Sequence, residues 1–136
     1  MDGSQKDALR KHLGKAGEEM ACAFLQKKGF RILGRNFHGG HAELDIVCAD
    51  GADLRFVEVK TRREPVEAAP ASAVDACKQR HLVSAAGKYL SSEEFRSLDF
   101  PRGGEMFFDV VTIVWNHQGT SCNLEYIPQA FIPIYT

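Results

Sequence analysis

Residues 43 to 60 restrict the fold more than any other part of the chain. Glu43-Leu44-Asp45-Ile46-Val47 and Leu54-Arg55-Phe56-Val57-Glu58-Val59-Lys60 each alternate polar with apolar residues. That alternation marks a strand with one buried face. Asp50-Gly51 between them is a tight-turn dipeptide. Together they predict a β-hairpin.

Other segments fall into place around it. Leu9, Leu13, Ala16, Met20 and Phe24 recur at helical steps and predict a helix over Lys6–Lys28, stopped by Gly29. Gly14 and Gly17 each weaken that helix by ~1 kcal/mol, so either it starts later or something packs closely there. A strand is expected from Phe30 to Phe37 and a loop over His38–His41. Arg62–Ser72, with Pro65 and Pro70, reads as a loop. Ser72 is the expected cap of a second helix reaching Leu90, with Val74, Cys77, Leu82, Ala85, Ala86 and Tyr89 on its buried side. A linker with Pro101, Gly103 and Gly104 follows, then a strand over Met106–Trp115 and a last one over Leu124–Ile127, limited by Pro128. One helix, three strands, one helix and two strands make an α/β sandwich on a mixed sheet. The 136 residues suit a single domain, 1–136, with residues 1–5 a candidate disordered segment.

Formal net charge is -1, which counts against a strong non-specific DNA binder, so any basic surface must come from local clustering. Cys22, Cys48, Cys77 and Cys122 are scattered. They lack the paired spacing of a zinc or redox motif and read as small buried hydrophobes in a reducing cytoplasm. The N-terminus lacks the apolar run of a signal peptide, and no segment is long and apolar enough to span a bilayer.

The hairpin also carries chemistry. Residues i and i+2 of a strand share a face, so Glu58 and Lys60 project together, and the turn brings Asp45 near Glu58. Two carboxylates can hold Mg²⁺. Lys60 can orient or deprotonate a water, or offset transition-state charge. The plain alternative is the solvated face of a half-buried sheet, with a weak Asp–Lys pair. From these three residues alone that alternative weighs more, because short motifs match by chance. Glu18 adds to the count. It lies in the row Gly14, Glu18, Ala21, Leu25, a small and apolar helix face on which a carboxylate needs a partner. A solvated Glu18 paired with Lys15 is an equal reading of the same pattern. Glu19 is the weaker candidate.

Leu44-Asp45 followed by Glu58-Val59-Lys60 resembles the PD-(D/E)XK signature of the restriction-endonuclease-like superfamily. More closely, the chain resembles the YraN family of bacterial proteins. The matching pieces are Gly17-Glu18 with Ala21, Asn36-Phe37, Glu43-Leu44-Asp45-Ile46, Phe56-Val57-Glu58-Val59-Lys60-Thr61-Arg62, Lys78-Gln79-Arg80, Phe108-Asp109-Val110-Val111 and Ala130-Phe131. They cover nearly the whole chain. The resemblance implies an αβββαβ core with helices flanking a central mixed sheet. It implies Mg²⁺ or Mn²⁺ at Asp45 and Glu58, Lys60 as the catalytic lysine, Glu18 as a helix acid and Gln79 as a polar residue facing the site. The family is similar in core layout to Holliday-junction resolvases. These cut branched DNA in repair or recombination as homodimers, because two cuts need two sites. Ala42 stands where the family usually has Gly, and Leu44 where the superfamily has Pro.

Lys60, Arg62 and Arg63 are candidates for contacting nucleic-acid phosphates, with Lys78, Arg80 and His81 extending the patch. Lys6, Arg10, Lys11 and Lys15 read better as solubilising charge. His38 and His41 read as exposed loop residues, Asp109 as a structural acid bonded to loop backbone, and Trp115 and Phe131 as core or interface. Three functions compete: a metal-dependent DNA nuclease, a non-catalytic nucleic-acid-binding module, and a protein-interaction subunit. The first leads on the resemblance.

Overall fold

The computed structural model describes residues 2–66 and 74–133. Helix α1 spans Gly3–Lys27. It starts earlier than the expected Lys6 because Asp2 and Gln5 form a reciprocal cap: the Asp2 carboxylate accepts from Gln5 N–H (2.8 Å), and the Gln5 side chain accepts from Asp2 N–H (2.9 Å). The residues expected to be disordered are therefore helical from Gly3. Gly29, at φ 95°, ends the helix as its position predicts. The buried face differs from the expected one. Leu13, Gly17, Ala21 and Leu25 point inward at four-residue steps, while Met20 is exposed.

Strands β1 (Arg31–Gly39), β2 (Ala42–Asp50) and β3 (Asp53–Arg63) follow as an antiparallel meander. β1 takes in His38 and Gly39 of the expected His38–His41 loop and packs tightly under the second helix. A Cβ on Gly39 would lie 2.7 Å from Ala85 Cα, so only glycine fits. β3 runs three residues past Lys60, because Thr61, Arg62 and Arg63 pair with Ile113, Val114 and Trp115.

Helix α2 (Ala76–Ser91) is capped by Asp75, whose carboxylate accepts from Lys78 N–H at 2.8 Å. The expected cap, Ser72, lies outside the described residues, as does Pro70. A short helix α3 (Glu93–Arg96), capped by Ser92, occupies part of the expected linker. β4 (Met106–Trp115) lies parallel to β3, and β5 (Cys122–Phe131) closes the sheet antiparallel to β4. β5 continues through Pro128. On an edge strand, the missing N–H costs no ladder bond. The ladder shifts between Phe108 and Val110, with Gln129 at φ 49°.

The strand order is β1-β2-β3-β4-β5, a mixed sheet flanked by helices, as the restriction-endonuclease-like expectation requires. Each face has its own core. α2 covers Leu44, Val47, Phe56, Phe108 and Val110, and α1 covers Ile46, Cys48, Val57, Val111, Ile113 and Trp115. Cys22 and Cys48 are buried as expected, and burial pushes the Cys48 thiol up to about 12. Cys77 is exposed and Cys122 half-exposed, because both lie at the rim of their elements. No described helix is long and apolar enough to cross a membrane.

Candidate metal centre

Asp45 sits where β2 changes faces. Leu44 packs in the α2-side core, yet Ile46, two positions on, packs in the α1-side core. The alternation that predicted a shared face for Asp45 and Glu58 therefore breaks at Asp45. Opposite it on β1, Asn36 takes a left-handed conformation (φ 53°), which Asn tolerates better than most residues. The β2–β3 ladder ends at the pair Ile46 and Val57. Beyond that point the strands part, and the Asp45 carboxylate enters the gap. It accepts the Val59 N–H at 2.8 Å, a donor the β2 backbone no longer reaches. The break, rather than unbroken periodicity, brings Asp45 to Glu58.

Glu58 and Lys60 continue the α2-side register of Phe56. Glu58 lies 3.7 Å from Lys78 Nζ at the start of α2. Its other oxygen, Oε2, is buried without a hydrogen-bond partner. That is costly for a carboxylate. Glu18 reaches the cluster from α1 at the margin of the buried face. Gly17, beside it, makes this approach possible: a Cβ there would stand 2.6 Å from Thr61 Oγ1 and 3.4 Å from Ile113. Close packing at Gly17 was one of the two sequence expectations, and Gly14, with nothing within 4 Å of a Cβ, does not share it.

The electrostatics mark one cluster. Burial first, then the Glu58 charge, push the Asp45 carboxyl up to about 7, and the Val59 bond opposes them. Burial also raises Glu58, against the lowering pull of Lys78 and Lys60. Glu18 is raised by burial and by Glu43, with Arg35 opposing. Buried acids that repel one another in this way favour a proton or a cation between them. Among the described residues, no three His, Cys, Asp or Glu side chains converge tightly enough to hold a metal by protein ligands alone.

The remaining candidates divide. Lys60 is exposed on β3, and its charge reaches Glu58. Arg62 and Arg63 lie half-buried at the strand's end. Lys78 is drawn to Glu58. Gln79 donates its side-chain amide to the C=O of Val74, just ahead of α2, at 3.2 Å. Arg80 is exposed on α2, and so are His38 and His41, with the His41 ring 5.3 Å from that of His81. Two residues outside the expected site belong to it electrostatically: Glu43, already visible in the Glu43-x-Asp45 spacing, and Arg35, which pairs with Glu19 at 2.8 Å. No sequence signal marks Arg35.

Asp109 has the structural role its apolar strand suggested. It is 1% exposed. It accepts from Arg55 Nη1 (3.2 Å to each oxygen), Tyr126 O–H (2.5 Å) and the Gln129 backbone N–H (2.8 Å). These bonds hold the β4–β5 irregularity.

The comparisons with known proteins agree with this core. A family model described as "Uncharacterised protein family UPF0102" matches residues 17–113, which include Glu18, Asp45, Glu58, Lys60 and α2. A UPF0102 protein of Dictyoglomus thermophilum is 37% identical over 121 residues, 89% of this chain and 98% of that one. One from Bacteroides thetaiotaomicron is 38% identical over 126 residues, 93% and 97% of the two chains. One from Syntrophomonas wolfei is 45% identical over 107 residues, 78% and 87%. On the family match and these near full-length relatives, the chain belongs to the UPF0102 family, the YraN-like family its motifs resemble.

Proposed function

We propose that the gap between β2 and β3 is a metal-dependent nuclease centre that hydrolyses phosphodiester bonds in DNA, branched or structured DNA in particular. The observation that carries this reading is the pair of half-buried carboxylates, with the Glu58 charge acting on Asp45. Its surroundings oppose deprotonation of Asp45, and Glu58 Oε2 has no hydrogen-bond partner. Such a pair suits a divalent cation. Asp45 and Glu58 would hold Mg²⁺ or Mn²⁺, completed by water and phosphate oxygens. The bound ion supplies a polarised phosphate and a more acidic water.

The chain's own groups do the rest. The Val59 N–H fixes the Asp45 carboxylate in orientation. Lys60, exposed on the same strand as Glu58, is free to reach a water or a phosphate oxygen and offset charge that builds up there. Glu18 and Glu43 add negative potential that favours a cation and disfavours an unneutralised phosphate. Lys78 neutralises one Glu58 oxygen from α2 and so limits that excess.

A second reading, a non-catalytic nucleic-acid-binding module on the same fold, draws on the lack of a third convergent ligand among the described residues. Calorimetric titration of Mn²⁺ into the wild type and Asp45→Asn separates the two, together with cleavage of a four-way junction and of single-stranded DNA. The nuclease reading expects one Mn²⁺ site lost in Asp45→Asn, and cleavage lost in both Asp45→Asn and Lys60→Ala. Intact DNA with bound Mn²⁺ would leave the binding module as the better account.

A further inference from the structure

A cavity of about 670 Å³ opens between the N-terminal half of α1 and the end of β3, within the roughly 300–1,000 Å³ of small-ligand sites. Lys6 and Arg10 face it from the helix, and Arg62 and Arg63 from the strand. Its apolar lining comes from Leu13, Pro65 and Val66. These side chains come from segments 50 residues apart in sequence, yet nearly all the charge they bring to the cavity is positive. Arg10 also makes an exposed pair with Asp7 at 3.0 Å. Such a pair is worth little and yields readily to another anion. On a chain of net charge -1, this is a local concentration of cations over an apolar floor.

The cavity also adjoins the acid cluster. Lys6, Arg10, Gly14 and Glu18 follow one another at four-residue steps, so they form one row along α1. Across from them, Lys60, Thr61, Arg62 and Arg63 are consecutive on β3. The row therefore runs from cations at one end to the carboxylates at the other, with Gly14 between them. Gly14 is where the floor has no side chain: a Cβ there would meet nothing within 4 Å.

We infer that this cavity binds one nucleotide of a single nucleic-acid strand, its base on the apolar floor and its phosphates on the cationic rim, and so leads the strand to the Asp45–Glu58 gap. Cations supply the affinity for the backbone, and an apolar surface accepts an unpaired base without reading its sequence. This rests on the proposed function, which it deepens by giving the strand a path. It also revises the reading of Lys6 and Arg10 as mere solubilising charge.

Fluorescence anisotropy with a labelled single-stranded oligonucleotide, in EDTA so that cleavage plays no part, tests it. Gly14→Trp fills the floor, and Lys6→Glu with Arg10→Glu reverses the exposed rim without touching the core. Each is expected to weaken binding at least tenfold. Competition by a mononucleotide is expected to need a far higher concentration than competition by the strand. Mn²⁺ titration of the same variants should match the wild type, which confirms an intact acid site. Unchanged strand affinity in Lys6→Glu/Arg10→Glu overturns the inference. So does a duplex that binds as tightly as the strand, or a mononucleotide that does. Mn²⁺ binding lost in wild type, with the groove variants still impaired in strand binding, would defeat the nuclease reading alone.

Discussion

Two aspartates, Asp109 buried and Asp45 half-buried, show how the same side chain takes opposite roles. Asp109 receives hydrogen bonds from Arg55, Tyr126 and Gln129. Its charge is compensated, and Arg55 in turn stacks on Phe107 at 4.4 Å. Asp109→Ala leaves the Arg55 guanidinium only its pair with Asp50 at 3.3 Å and strands two other donors, and breaking a buried pair in this way costs about 3–5 kcal/mol. Urea unfolding should show that loss, and a cost below 1 kcal/mol would mean that the network contributes little. Asp45 accepts one backbone bond beside Glu58 and is pushed up to about 7, by burial and then by that neighbour. An unfolded aspartate titrates near ~4. Between those pH values the folded protein holds a proton the unfolded chain has released, so stability falls as pH rises from about 4 to about 7. Below that window the penalty vanishes, and above it the penalty is complete. Asp45→Asn removes the charge and keeps an oxygen for Val59. In EDTA at pH 8 the variant should be more stable than wild type by about 2–4 kcal/mol, at roughly 1.4 kcal/mol per pKa unit. The gain should fade by pH 4, and a gain that is the same at both pH values would refute the burial account. Saturating Mn²⁺ should reverse the ranking at pH 8 if, as proposed, the ion binds the wild type alone.

At the scale of elements, α1 must approach the sheet closely to bring Glu18 into reach of Asp45. Gly17→Ala places a Cβ 2.6 Å from Thr61 Oγ1 on β3, so the helix or the strand end must move. The short Thr61 side chain offers little room, and the expected cost is about 1–3 kcal/mol. Gly14→Ala, one turn earlier, meets nothing and should add up to about 1 kcal/mol through helix propensity. Chemical denaturation of the two variants should move in opposite directions. Destabilisation of both would mean that helix propensity and contact are not what separates these glycines. The elements themselves were legible because period-two and period-four patterns are local. β4 follows its apolar run from Met106 to Trp115 residue for residue, and Gly29 ends α1 where it should. The catalytic candidates were legible as residue types and spacing, but their joint geometry was not. That geometry depends on the switch of faces at Asp45 and on the left-handed Asn36 opposite it. Both are set by two helices packing on opposite sides of β2, which no window of sequence contains. The extension of β3 through Arg63 has a similar origin, in its pairing with β4 some 50 residues away.

For the whole molecule, electrostatics decide how the proposed function could hold nucleic acid. Net charge of -1 means that no broad field draws a polyanion in, and attraction must come from the cations beside the gap. If Lys60 and the groove's Lys6, Arg10 and Arg63 contact phosphates as proposed, about four phosphates of a single strand are neutralised. The slope of log affinity against log salt should then be roughly -3. Between 50 and 200 mM salt, affinity should fall by roughly fifty-fold. A slope near zero would place the binding energy in apolar or base-specific contacts, and one steeper than about -6 would demand a much larger basic footprint than these residues supply. The acids act against the same binding. Glu18, Glu43, Asp45 and Glu58 repel a phosphate backbone until a cation neutralises them. In EDTA, Asp45→Asn should therefore bind the strand several-fold more tightly than wild type. Mg²⁺ should close that gap by strengthening wild-type binding and leaving the variant nearly unchanged. A divalent cation that weakens both proteins equally would be acting only as screening salt, and the acid cluster would then have no part in coupling metal to strand.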